Sequence, residues 1–126
     1  MGPAYQPIFV VVIDDNSNGL EFLSAALTQP GVEVFAASTP EDGLELISLH
    51  KPQIVITDLV MPGMSGLEVL RRVRQMDPAI DVIVMSAEES AEALQQGATD
   101  YLKKPIPLSV LRDCVARLMQ KHIPRG

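Results

Sequence analysis

Five side chains able to do chemistry follow apolar runs in this chain. Val10-Val11-Val12-Ile13 stops at Asp14-Asp15, and Ile54-Val55-Ile56-Thr57 stops at Asp58. The run of residues 82–85, Val-Ile-Val-Met, stops at Ser86, and Tyr101-Leu102 leads into Lys103-Lys104-Pro105. Adjacent carboxylates repel each other and are costly to desolvate. A hard, oxygen-seeking cation such as Mg²⁺ removes that repulsion, since it takes one or two carboxylates together with phosphate oxygens. A lysine facing such a cation suits an incoming phosphoryl group. The chain has no Gly-rich loop ending in Gly-Lys-Ser or Gly-Lys-Thr, which argues against nucleotide cradling. Taken singly, each residue also fits a plainer role. Residues 14–17 suit a helix cap, Asp58 a turn and Lys104 a solvated surface. Capping does not account for three acids at two different strand ends.

The elements that must bring these residues together alternate regularly. Apolar runs predict strands over residues 9–13, 32–36, 53–57, 81–85 and 99–102. Between them lie helical patterns. Leu20, Leu23 and Leu27 mark a helix over 18–28, stopped by Pro30-Gly31, and Thr39-Pro40-Glu41 starts a second ending near His50. Leu67, Leu70 and Val73 mark a third that ends before Asp77-Pro78, and residues 88–95 form a short fourth closed by Gly97. Leu108, Leu111, Val115 and Leu118 give the last helix a clean apolar stripe. Five such units predict an α/β domain: an open parallel sheet with helices on both faces and right-handed crossovers. Ligands in such folds sit beyond the carboxyl ends of the strands, where the chemical residues fall. Ser38 and Thr39, after the second strand, are assigned to capping.

A chain of 126 residues is expected to form one domain with a full core. Its single cysteine, Cys114, excludes an internal disulfide and reads as a small buried helix residue. No apolar stretch approaches membrane-spanning length, and the first residues lack a basic segment followed by a long apolar one; a cytoplasmic location without membrane contact is expected. The formal net charge of −6 argues against a nucleic-acid surface. Met61 and Met64 read as packing residues. His50 and His122 read as isolated, and Arg71, Arg72 and Arg74 as a solvated helix face.

The segments at residues 10–15 (VVVIDD), 54–66 (IVITDLVMPGMSG), 82–88 (VIVMSAE) and 97–106 (GATDYLKKPI) together resemble the receiver domain of two-component response regulators. The resemblance covers nearly the whole chain, with the pieces in the expected order. It implies a flavodoxin-like, doubly wound five-stranded sheet of order 2-1-3-4-5, and a single receiver domain over residues 1–126 with its core at about 8–121. It implies that Asp58 accepts a phosphoryl group from a phosphohistidine on a sensor histidine kinase or phosphotransfer protein. Mg²⁺ would be held by Asp14, Asp15, Asp58 and the backbone carbonyl of Val60, with Asp14 acting mostly through a bound water. Lys104, before a cis Pro105, would contact the phosphoryl oxygens and Asp58, while Lys103 points to solvent. Ser86 and Tyr101 match the switch pair that alters the face of the fourth helix, fifth strand and fifth helix. An effector domain or a homodimer would carry the output. The domain would be a phosphoacceptor with slow self-catalysed chemistry, not a turnover enzyme.

Several residues depart from the family pattern. Ser65 replaces an aspartate, a change that bears on capping. Val60 is apolar where a polar residue can position water, which predicts slow loss of the phosphoryl group. Ile106 replaces a frequent phenylalanine. Only eleven positions separate Ser86 from Gly97, about one helical turn fewer than usual. A shortened or irregular fourth helix and an atypical output surface are therefore expected, with Glu88 near the phosphoryl site. Two alternatives remain: a pseudo-receiver that serves only as an interaction module, and a Mg²⁺-dependent aspartyl-phosphate phosphatase. Against the second, Val60 stands where that class places another acid.

Overall fold

A computed structural model of the chain describes residues 6–88 and 92–122. Ten elements alternate: β1 (Ile8–Ile13), α1 (Ser17–Leu27), β2 (Val32–Ala37), α2 (Pro40–His50), β3 (Ile54–Asp58), α3 (Gly66–Met76), β4 (Asp81–Ser86), α4 (Glu92–Gln95), β5 (Asp100–Lys103) and α5 (Leu108–His122). The strands form one sheet in the order β2-β1-β3-β4-β5, and every neighbouring pair is parallel.

The oily runs are buried because the sheet is covered on both faces. Side chains alternate across β1. Val10 and Val12 pack with Ile54, Ile56, Ile83 and Met85 against α1 and α5, through Leu23, Leu27, Leu111 and Leu118. Val11 and Ile13 pack with Val55, Val82 and Val84 against α2 and α3, through Ile47, Val69, Leu70 and Val73. Each fully buried Val, Ile or Leu contributes about 1.5–3 kcal/mol of transfer free energy, and this holds the strand ends in register.

Helix starts follow local chemistry. Asn16, Thr39 and Ser65 are N-caps whose side chains accept the backbone N–H of Gly19, Asp42 and Glu68. Ser65 thus fills the capping role expected of it. Gly97, with φ +100, follows α4 in a conformation that other residues rarely adopt.

The described part of α4 is four residues, Glu92–Gln95, packed through buried Ala93. The helical pattern expected from Glu88 falls partly on residues 89–91, which lie outside the described residues; Glu88 itself sits in a bend. The segment 123–126, read as a tail, also lies outside them. Among the described residues no helix is long and apolar enough to cross a membrane.

Two readings need correction. His122 is not isolated: it belongs to α5, and its Nε2 lies 2.6 Å from Oδ2 of buried Asp81. Arg74 is not merely solvated: its guanidinium donates to the carbonyls of Gly97 and Ile80 and to Thr99 Oγ1. Asp81, Gly97 and Thr99 lie far along the chain from the side chains they meet, so local pattern hides them. Arg71 and Arg72 do lie on an exposed helix face, as expected, and both pair with Glu68. His50 has no ligating partner among the described residues but stacks on Phe35 with ring centroids 3.8 Å apart.

Candidate functional site

The carboxyl ends of β1, β3 and β5 meet at one rim of the sheet. β1 is paired on one side with β2 and on the other with β3, so its exit marks the point where strand order reverses. Asp14 leaves β1 there with only 1% of its surface exposed. Its Oδ1 accepts the backbone N–H of Asn16 at 2.9 Å, turning the chain sharply into α1. Asp15 follows, exposed. Asp58 is the last residue of β3, buried to 5% exposure. Each of the three acids offers an oxygen, and these oxygens lie within 4.8 Å of one another, a spacing suited to a shared cation.

Lys104 closes the site from the opposite side. Its Nζ lies 2.5 Å from Asp58 Oδ1 and 3.6 Å from Asp14 Oδ2. The Lys104–Pro105 peptide is cis, as the resemblance implied. The Lys104 N–H donates to the Ser86 carbonyl at 2.7 Å, tying the lysine's backbone to the end of β4. Lys103 is exposed.

The electrostatics are unbalanced: three acids face one lysine. Burial, the neighbouring Asp14 carboxylate and their repulsion push Asp58 up to about 7 against the pull of Lys104. Burial works against the Lys104 charge too, but hydrogen bonds and attraction from Asp58 and Asp14 outweigh it and raise its pKa. A divalent cation among the acids would lower the cost of keeping Asp58 ionised.

Two glycines make the crowding possible. A Cβ on Gly19, in the first turn of α1, would sit under 3.0 Å from Asp14 Oδ2, and one on Gly66 would meet the Asp58 carbonyl and the Leu59 backbone as closely. Neither was singled out from sequence as a site residue. The signal was present in Gly19, a glycine inside a helical pattern that weakens the helix unless packing requires it.

The remaining predicted residues flank this centre. Ser86 is buried at the end of β4, where its Oγ accepts the Glu88 N–H at 3.1 Å. Tyr101 is half-buried on β5, opposite Val84, and its hydroxyl is buried without a hydrogen-bond partner among the described residues. Val60, two positions past Asp58, is 70% exposed. Beside Asp14 and Lys104 lies a crevice of about 480 Å³, walled by Phe22, Leu23, Ile106 and Leu111.

Comparison with known proteins settles the family. The model for the response regulator receiver domain matches residues 10–116. The chain is a receiver domain of the response regulator family. Curated relatives of this receiver domain include the response regulator MprA of Mycolicibacterium vanbaalenii, 32% identical over 94% of this chain and 53% of that protein. Another is the KDP operon transcriptional regulatory protein KdpE of Escherichia coli K12, 38% identical over 90% of this chain and 52% of that protein. The receiver domain thus spans about half the length of these relatives. Among solved structures, a response regulator receiver domain protein from Clostridium thermocellum superposes with a TM-score of 0.85 at 29% identity, covering 91% of this chain and 96% of that one. The receiver domain of a LuxO repressor protein from Vibrio parahaemolyticus gives 0.81 at 32% identity, covering 91% and 92%.

Proposed function

We propose that this receiver domain is the phosphoacceptor of a two-component pathway, with Asp58 as the acceptor. The observation that carries the reading is the convergence on Asp58: two further carboxylates stand close enough to share a cation with it, and the Lys104 amine lies 2.5 Å away. An Asp58 carboxylate oxygen attacks phosphorus in line. The P–N bond of a phosphohistidine on a sensor kinase or phosphotransfer protein breaks, and the imidazole leaves with the electron pair. Asp15, Asp58 and the Val60 carbonyl would hold Mg²⁺, with Asp14 acting mostly through a bound water, and the cation would supply charge neutralisation for the phosphoryl oxygens. Lys104 shares that load and orients the acceptor. The apolar crevice at Phe22 offers a docking wall beside the site.

Phosphorylation adds about −1.5 to −2 charge and strong acceptor oxygens. Ser86 then gives its hydroxyl proton to one of them, and the packing around Tyr101 changes. Tyr101 is poised for a change of partner, since its buried hydroxyl has no hydrogen-bond partner among the described residues. The eleven-position spacing from Ser86 to Gly97 gives the α4–β5–α5 face an unusual shape, and through it the domain addresses an effector or a second copy. Val60 positions no water, so the phosphoryl group is lost slowly. The single domain acts in signalling and not as a turnover enzyme, in the cytoplasm, with no nucleic-acid contact of its own.

The test is a set of ¹H–¹⁵N spectra of the chain with a small phosphoryl donor and Mg²⁺. Shifts spreading from Asp58 to Ser86, Tyr101 and α5, absent in Asp58→Asn, support the reading. Phosphorylation elsewhere, or a change confined to the metal ligands, contradicts it.

A further inference from the structure

The ten lysines and arginines all lie at position 51 or beyond. The first fifty residues, which build β1, α1, β2 and α2, carry no lysine or arginine but seven acids: Asp14 and Asp15 at the site, then Glu21, Glu33, Glu41, Asp42 and Glu45. The last five sit on α1, β2 and α2, the elements that flank one side edge of the sheet.

Among the described residues that edge is open: β2 pairs with β1 alone, apart from one isolated bridge between Gln29 and Val32. The Gly31 and Ala37 carbonyls accept N–H groups of Ile8 and Asp14. The odd-numbered residues of β2 therefore turn their backbone groups toward β1, and the alternation of a parallel ladder turns those of Val34 and Ala36 outward. A groove runs along each side of this edge, and exposed Ala36 lines both. The α1 groove offers Leu20, Ser24 and Glu21; the α2 groove offers Leu46, Leu49, Asp42 and Glu45. Leu49 is 74% exposed.

We propose that the outer edge of β2 is a docking strand for an extended, basic segment of another protein. An added strand takes main-chain hydrogen bonds from Val34 and Ala36, and its side chains alternate between the two grooves. Each groove pairs apolar floor with carboxylate, so the fitting segment mixes apolar residues with Lys or Arg. A second copy of this edge brings Glu33 and its acidic neighbours against themselves, and nucleic acid is repelled outright, so charge complementarity selects the basic peptide. The surface is separate from the phosphoryl site.

The probe is a capped peptide alternating lysine and valine, about six residues long to match a strand, added to the full ¹⁵N-labelled chain at low salt. The expected result is shifts and slowed hydrogen exchange at Val34 and Ala36. Binding weakens about tenfold in Glu33→Gln/Glu45→Gln, a loss of about 1.4 kcal/mol. It also vanishes when alternate peptide nitrogens are methylated, which blocks strand pairing and leaves charge intact. Absence of binding, indifference to methylation, or shifts centred on Asp14, Asp15 and Asp58 each overturn the proposal. Concentration-dependent self-association through Val34 and Ala36 without peptide overturns it in favour of a second copy.

Discussion

Gly19 faces the Asp14 carboxylate so closely that even a methyl group would stand under 3.0 Å from Oδ2. The first turn of α1 is thereby fitted to the acid that precedes it. Asn16 completes the fit: its N–H donates to Asp14 Oδ1 and its side chain accepts the Gly19 N–H at 3.0 Å. A residue with no functional group of its own thus positions one of the three clustered carboxylates.

Gly19→Ala should separate stability from cation binding. Alanine favours the helix by about 1 kcal/mol over glycine, so the gain offsets much of the crowding and the fold survives. The displaced Asp14 carboxylate should weaken divalent-cation binding about ten- to a hundredfold, the usual cost of disturbing a group that orients a ligand. Calorimetric titration beside a thermal melt reads both effects. Unchanged affinity would show that Asp14 tolerates the methyl.

Asp58→Asn should stabilise the cation-free protein above neutral pH. Burial raises the Asp58 pKa from 3.8 to about 7, so the folded form holds this proton more tightly than the unfolded chain. Stability from this group is present at low pH and is lost as pH rises from the unfolded value through the folded one. Asparagine removes that loss, and Lys104 keeps Asp14 as a partner. A gain of about 2 kcal/mol at alkaline pH, shrinking toward pH 4, is expected in melts with a chelator present. A mutant less stable at every pH would contradict the charge-crowding account.

Asp81 should matter at the opposite rim. Its carboxylate takes Lys121 at 2.9 Å, Thr99 at 3.1 Å and His122 at 2.6 Å, fastening the last turn of α5 to β4. Burial opposes its charge, but the Lys121 and His122 hydrogen bonds outweigh it and hold its pKa below 3.8. The folded pKa is depressed, so this stability is present above the unfolded value and lost as pH falls through the folded one. Asp81→Ala should cost about 2–3 kcal/mol at neutral pH, with the gap closing in strong acid. A gap that persists there would mean that packing, and not charge, dominates.

Cys114 should resist alkylation. Burial first, then Asp100 beside it, pushes the thiol up to about 11, and its Sγ lies 3.3 Å from Asp100 Oδ2. Thiolate is scarce at neutral pH, so labelling should proceed only as fast as the helix opens. Rapid labelling of the native protein would show α5 to be looser than its packing implies.

The strand exits were legible because buried parallel strands announce themselves as continuous apolar runs. Even so, β3 and β4 each include the chemical residue, Asp58 and Ser86, that the pattern placed just outside. Hydrogen bonding carries each ladder one residue past the end that the pattern gave. The acid pair and Lys104 were legible because each sits beside its strand. His122 and Arg74 were misread because their meaning lies 41 and 23 residues away, in Asp81 and Gly97. The acidic β2 edge was likewise invisible until topology put α1 and α2 on either side of it.

The most direct test of the central claim is intact mass after incubation with a small phosphoryl donor, with and without Mg²⁺, for wild type, Asp58→Asn and Lys104→Ala. Asp58 as acceptor requires one phosphoryl group on the wild type only when the cation is present, none on Asp58→Asn, and slower gain on Lys104→Ala. Equal labelling of wild type and Asp58→Asn, or labelling indifferent to the cation, would contradict it.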